Sequence, residues 1–315
     1  MERSLATRLA MVVAGLATVA FYAAGAWLAW RGLLFLWRQR PDPVTTAVVV
    51  LAVTVAFGYV SYALGQAAVL RTLGAEEVSP ARAPELYRRL DELSVDLGID
   101  RPTLCVARME APNALALGGP SDGVVVLDAS LFRLLSAREV DGILAHELAH
   151  VKARDGLVST LGASLVSTVA GLLGLVFLPA MLLAAGAARG LALVRGESYE
   201  AVRTATVRAR VAVGSLAVVL LFALTLVLRA YSRRRELAAD DTAVELTGDP
   251  AALAAALSKI ERAAAASGPL SSLYIHGDER GTLTRLLATH PPMEARVERL
   301  RERADRARGR RIPIQ

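Results

Sequence analysis

Cysteine occurs once, at Cys105, and lysine twice, at Lys152 and Lys259, in a chain of 315 residues. A single cysteine excludes an intrachain disulfide and any cysteine-based metal site, and it fits a reducing compartment. Histidine is scarce too: with only 4, an imidazole-based metal centre has few places to form. The shortage of lysine leaves arginine carrying nearly all the positive charge, a compositional bias without functional content of its own. The apolar share, by contrast, is large. Hydrophobic residues at 54% and a mean hydropathy of +0.42 are too high for an ordinary soluble protein, so a membrane protein is the expected class. The formal charge of +6 does not point to nucleic acid. The basic residues are spread over membrane flanks, connectors and the C-terminal tail, where anionic lipid headgroups are the natural partner.

The apolar residues come in blocks of spanning length between segments of globular composition. Residues 9–30 form the first block, and Trp27, Trp30 and Trp37 read as an interfacial belt before Arg38 and Arg40. The block is too long for the core of a cleaved signal peptide, and a second span, 44–70, follows once Pro41 and Pro43 have broken the helix. Residues 1–70 are therefore expected to be a transmembrane hairpin. Residues 71–156 have soluble composition. Leu86, Leu90, Leu93 and Leu97 give one apolar helix face stopped by Gly98, while 103–107 and 124–127 are strand candidates and 113–117 an extended edge segment. Ser136 with Glu139 is a capping box that starts the next helix. Residues 157–230 are expected to hold a second hairpin, with spans at about 157–178 and 211–230 and a charged connector at 189–210. From 231 the chain is soluble again: a helix near 234–246 stopped by Gly248, another at 250–266, a last one after Pro292, and a frayed basic tail from Arg301. Arginine and lysine counts on the two sides favour a cytoplasmic soluble part.

His146 and His150 stand four residues apart on the capped helix, so both imidazoles leave one face and can share a tetrahedral ion. Glu147 between them is placed to act on an attacking water, which is the content of the H-E-x-x-H pattern. A catalytic zinc needs a third protein ligand. Glu236 and Asp240, one turn apart after the last span, would alone read as a solvated acidic pair balancing Arg233 to Arg235. Beside the histidine pattern, Glu236 becomes the expected third ligand and Asp240 the carboxylate that holds a ligand imidazole by its other nitrogen.

The stretches "ELYRRLDELSVDLGIDRPTLCVARMEAPNALALGG", "HELAH" leading into an apolar block, "RRRELAADDTAVELTG" and "THPPMEARVERL" occur in an order that resembles the HtpX-like family of integral-membrane zinc metallopeptidases, relatives of the CAAX prenyl proteases and the Oma-type proteases. The resemblance implies one zinc per chain on His146, His150 and Glu236, with Glu147 as catalytic base. It implies a mainly α membrane protein whose α+β, zincin-like catalytic domain is split by a transmembrane hairpin. Asn113 then looks like the family's asparagine at a substrate-binding edge strand, and His290 and Arg296 like its downstream pair near the site. With those roles, His290 would donate to the developing oxyanion and an extended substrate would add a strand at 113–117. His276 reads as a loop residue.

The histidine helix carries Arg138, Glu139, Asp141, Lys152, Arg154 and Asp155 and is too costly to place inside a bilayer. The expected protein is thus an inner-membrane zinc endopeptidase of bacteria, wet at its site, and the resemblance implies that it cleaves unfolded or membrane-associated proteins in quality control. A CAAX-type processing enzyme, or a non-catalytic scaffold with structural zinc, are the alternatives. The retained Glu147 argues against the scaffold, which has no use for a base beside its ligands.

Overall fold

A computed structural model describes residues 5–39, 42–197, 199–266 and 293–309. The elements run α1 (Leu5–Gln39), α2 (Pro43–Thr72), β1 (Glu76–Glu77), α3 (Pro84–Leu97), β2 (Thr103–Ala107), β3 (Ala114–Leu117), β4 (Val124–Asp128), α4 (Leu131–Leu134), α5 (Ala137–Ala153), α6 (Asp155–Arg195), α7 (Tyr199–Thr247), α8 (Pro250–Ala266) and α9 (Met293–Gly309). The chain is mostly helical with one small sheet. Among the described residues, Arg8–Gln39, Pro43–Thr72 and Asp155–Arg195 are long and apolar enough to cross a membrane by length and composition.

The chain divides into two compact units, one made of Ser164–Leu224 with the chain up to Val55, the other of Ala56–Ala163 with the chain from Thr225. In the first unit, α1 meets α6 through glycines. A Cβ on Gly190 would lie 2.8 Å from the Gly15 carbonyl oxygen, and one on Gly186 would strike the Tyr22 side chain. Bare backbone at Gly186 and Gly190, four residues apart, permits this approach, as small residues do where lipid removes the hydrophobic drive for association. Gly15 faces Gly190 and Gly25 faces Leu182, so the two helices run antiparallel here, whereas an up-and-down order of the first three spans would set them parallel. α6 continues through Pro179, and the stretch expected as a charged connector is helical on both sides of Gly196, whose φ is 64°.

The second unit holds a sheet of order β1-β2-β4-β3, with β2 and β4 parallel and the two edge strands antiparallel to their neighbours. Alternation sorts its faces. Leu104, Val125 and Leu127 point into a core shared with Leu90 and Leu93 of α3, Leu144 and Leu148 of α5, Leu253 of α8 and Leu300 of α9. Cys105, Ala107 and Val126 pack on the other face against Leu70 and Leu73 at the end of α2. The face expected for α3 is buried at Leu90, Leu93 and Leu97, and Gly98 ends that helix in the left-handed region at φ 66°.

α5 lies at the middle of this unit rather than on its surface: nearly every residue from Gly142 to Ala149 is buried. Its start is fixed by Glu139, which accepts from the Ser136 amide at 2.7 Å and from Lys259 of α8 at 2.7 Å. The helix expected near 234–246 is the last part of α7, a continuous 49-residue helix that also contains the expected span 211–230. Nor is the tail frayed from Arg301: α9 runs to Gly309, with Arg299 2.5 Å from the Asp241 carboxylate and Arg303 paired to the same group. β1 was not anticipated, since a two-residue strand of glutamates carries no apolar pattern.

Gly142 of α5 faces the backbone of Leu253, where a Cβ would meet Cα at 3.3 Å. Gly142→Val should lower the thermal midpoint of the detergent-solubilised protein by an overpacking cost of about 1–3 kcal/mol, while Gly142→Ala, which needs only a few tenths of an ångström, should sit near wild type. Differential scanning fluorimetry of the two variants checks this.

Candidate metal centre

α5 and α7 bring together three side chains that could hold a metal ion. One donor atom from each of His146, His150 and Glu236 lies within 4.8 Å of the others. The two Nε2 atoms are 3.1 Å apart, and the two oxygens of Glu236 lie 3.7 Å from His146 Nε2 and 3.7 Å from His150 Nε2. Ligands roughly 2.0–2.1 Å from a tetrahedral centre stand about 3.3 Å from one another, so this triangle has the dimensions of a zinc site. The helix spacing explains the geometry: positions i and i+4 share a face, which pairs His146 with His150 on α5 and Glu236 with Asp240 on α7.

Each imidazole has a carboxylate beside its other nitrogen. His146 Nδ1 lies 3.1 Å from Asp240 Oδ1, and His150 Nδ1 lies 2.5 Å from Asp155 Oδ2. Each carboxylate is in turn held by an arginine. Arg296 grips Asp240 through Nε at 2.9 Å and Nη2 at 2.6 Å, and its Nη1 lies 3.0 Å from Glu236 Oε2. Arg235 Nε lies 2.8 Å from Asp155 Oδ1 while its Nη1 donates to Ser159. Arg296 is 4% exposed and Asp240 0%, so this bidentate pair is screened from solvent.

Asp155 owes its place to a break in the helix. On an unbroken helix a residue five positions after His150 would point well away from it. Arg154, at φ 54° and ψ 38°, is a left-handed residue that ends α5, and Asp155 starts α6 directed back toward the histidine. In the sequence Asp155 is one of several charges that keep the histidine helix out of the bilayer and Arg235 one of a basic run beside Glu236, and nothing there says that the two meet. The signal that could have revealed them is an acid and a base at the facing ends of two neighbouring spans.

Glu147 follows His146 on α5, is 8% exposed, and its carboxylate acts through its charge on Arg296. Asn113 precedes the edge strand β3, where its carbonyl accepts from the Asp128 amide at 2.9 Å and its side chain caps Ala114. His290 and His276 lie outside the described residues.

The electrostatics suit a divalent ion. Among the described residues, four buried carboxylates (Glu147, Asp155, Glu236 and Asp240) face two arginines, leaving two formal negative charges for a cation to balance. Burial alone would raise the Asp240 pKa, but contacts with His146 and Arg296 hold it below the usual carboxylate range. Burial alone would lower that of His146, yet the carboxylates of Asp240 and Glu236 outweigh it and push the pKa up to about 9.

The model of Peptidase family M48 matches residues 80–304. The protease HtpX homolog of Halobacterium salinarum is 33% identical over 317 residues, covering 92% of this chain and 100% of the relative. That of Salinibacter ruber is 36% identical over 275 residues, covering 83% and 90%. That of Paraburkholderia phytofirmans is 34% identical over 266 residues, covering 81% and 87%. Among solved structures, Ste24p of S. mikatae matches with 17% identity and a TM-score of 0.45, over 88% of this chain and 67% of that one.

Two outcomes are expected from this geometry. With its pKa near 9, His146 of the metal-free protein is protonated at pH 7, so metal loading must displace that proton. Calorimetry at pH 7 in buffers of different ionisation enthalpy should register about one proton released per ion from this group, and affinity should weaken as pH falls below about 9. Asp155→Ala should weaken metal binding about 10–100-fold, the usual cost of losing a carboxylate behind a ligand imidazole, as read by competition with a chromogenic chelator.

Proposed function

The chain belongs to peptidase family M48, and from that premise we propose that it is a zinc endopeptidase cleaving membrane or membrane-associated proteins at the cytoplasmic face of a bacterial inner membrane. That it is a membrane-anchored protease rests on the family match and the span-length helices. The metal and the residue roles rest on the site. The observation that carries them is the convergence of two imidazole nitrogens and a carboxylate, 3.1–3.7 Å apart, beside the buried Glu147.

His146, His150 and Glu236 would hold the zinc, with Asp155 and Asp240 fixing the imidazoles so that each Nε2 lone pair faces the ion. When bound, zinc polarises the scissile carbonyl and lowers the pKa of an attacking water toward about 7. Glu147 takes that water's proton on a carboxylate oxygen and passes it to the amine nitrogen as the peptide C–N bond breaks, so the products are a carboxylic acid and an amine. Arg296 keeps Asp240 and Glu236 in place. His290 is assigned the donation to the carbonyl oxygen as it gains charge.

The substrate backbone is assigned to the outer edge of β3. Among the described residues that strand pairs with β4 on one side only, and an extended chain can add to its other edge from Asn113 onward. Such a mode reads backbone more than side chains and suits unfolded substrates, which is the support for a quality-control role. The zincin-like unit is split, because Glu236 can return to His150 only if an even number of crossings separates them. α6 and α7 are assigned those crossings.

Glu147→Gln should retain about one zinc per chain and lose cleavage of casein by roughly 10²–10⁴-fold, the weight of a positioned general base. Metal analysis with a fluorogenic casein assay on the purified protein reads both. Full activity in the variant would sink the mechanism, and zinc without cleavage in the wild type would favour the non-catalytic scaffold.

A further inference from the structure

A groove between α1 and α6 lies within the first unit and has no part in the peptidase reading. Thr18, Phe21 and Tyr22 line one side, Arg189, Leu193 and Glu197 the other, around a volume of about 670 Å³. That is the size of an ordinary small-molecule site. Its walls are mainly apolar, and one charge in it has no ion-pair partner among the described residues. Glu197 has a counterion in Arg195 at 3.7 Å. Arg189 is half-buried with its guanidinium 5.0 Å from the centre of the Tyr22 ring, and no carboxylate among the described residues pairs with it.

Tyr22 stands within the long apolar run of α1, so the guanidinium is held against a surface that offers it no anion. An arginine in such a place is stable where its stem packs on apolar surface and its head meets an anion. A cleft with apolar walls and one unmatched cation has the chemistry of an acyl chain joined to a phosphate. We propose that this groove binds an anionic phospholipid, its phosphate on Arg189 and a chain along Phe21 and Leu193.

The chain carries its own reporters, since its 3 tryptophans, Trp27, Trp30 and Trp37, all lie on α1 and are exposed. The full-length protein is reconstituted in phosphatidylcholine bilayers, and tryptophan quenching is followed as brominated phosphatidylglycerol or brominated phosphatidylcholine is added. The expected result is an apparent affinity for the anionic lipid about fivefold above that for the zwitterionic one, the weight of one arginine at an anionic surface. Arg189→Gln should erase that preference, while Arg71→Gln, at the end of α2, should leave it unchanged. Glu197→Gln should strengthen it, which keeps the proposal testable if Arg189→Gln does not insert. Equal quenching by both lipids in the wild type, or a preference that survives Arg189→Gln, would overturn it. So would tight quenching by a bromine-labelled acidic membrane peptide with no lipid preference, which would assign the groove to a protein partner.

Discussion

A buried cluster of carboxylates must be neutralised, and the second unit is organised around that requirement. Placing Glu147, Asp155, Glu236 and Asp240 in one interior would be untenable without cations, because desolvated like charges repel and lose their hydration. Arg296 and Arg235 supply part of the compensation, and the divalent ion proposed for His146, His150 and Glu236 would supply the rest. Every element touching the centre is tied to it by this charge balance. α9 is drawn in by Arg296 on Asp240, and the start of α6 is joined to α7 by Asp155 on Arg235.

The same logic explains why α5 is the most enclosed helix of its unit. A site that must hold two imidazoles within a few tenths of an ångström needs a support whose own side chains are locked by packing. Leu144 and Leu148 of α5 are 0% exposed in the core that includes Leu253 and Leu300, and Lys259 of α8 holds Glu139 at the helix start. The sheet presents β3 at its edge, so the rigid part of the unit borders a strand that, among the described residues, is paired on one side. The groove on α1 and α6 follows a different physics. There the approach of helices depends on bare glycine backbone, and one arginine is left to a lipid surface.

Local pattern anticipated what local physics decides. The leucine spacing of α3, the capping box of α5 and the short apolar runs of β2 and β4 are each set by interactions within a few residues, and they stand where the pattern placed them. The spacing of His146 and His150 belongs to the same class. Patterns failed where a distant partner overrides local preference. Arg301 to Gly309 is basic and looked frayed, but Arg299 and Arg303 find Asp241 on α7 and the helix persists. The soluble helix around Glu236 merges with the preceding apolar stretch because neither proline nor glycine stands between Gly214 and Gly248.

By itself the sequence determined the chemistry available: two histidines one helical turn apart, a glutamate between them, a single cysteine that excludes a cysteine-based metal site, and apolar runs of spanning length. Helix periodicity and transfer free energy act along the chain, so they can be read from it. Tertiary structure alone decided which charges stand behind the ligands. Asp155 reaches His150 only because Arg154 takes a left-handed turn, and it is held there only because Arg235, eighty residues later in sequence, comes back beside it. Buried electrostatics is a property of positions in space, and no spacing in the sequence encodes it.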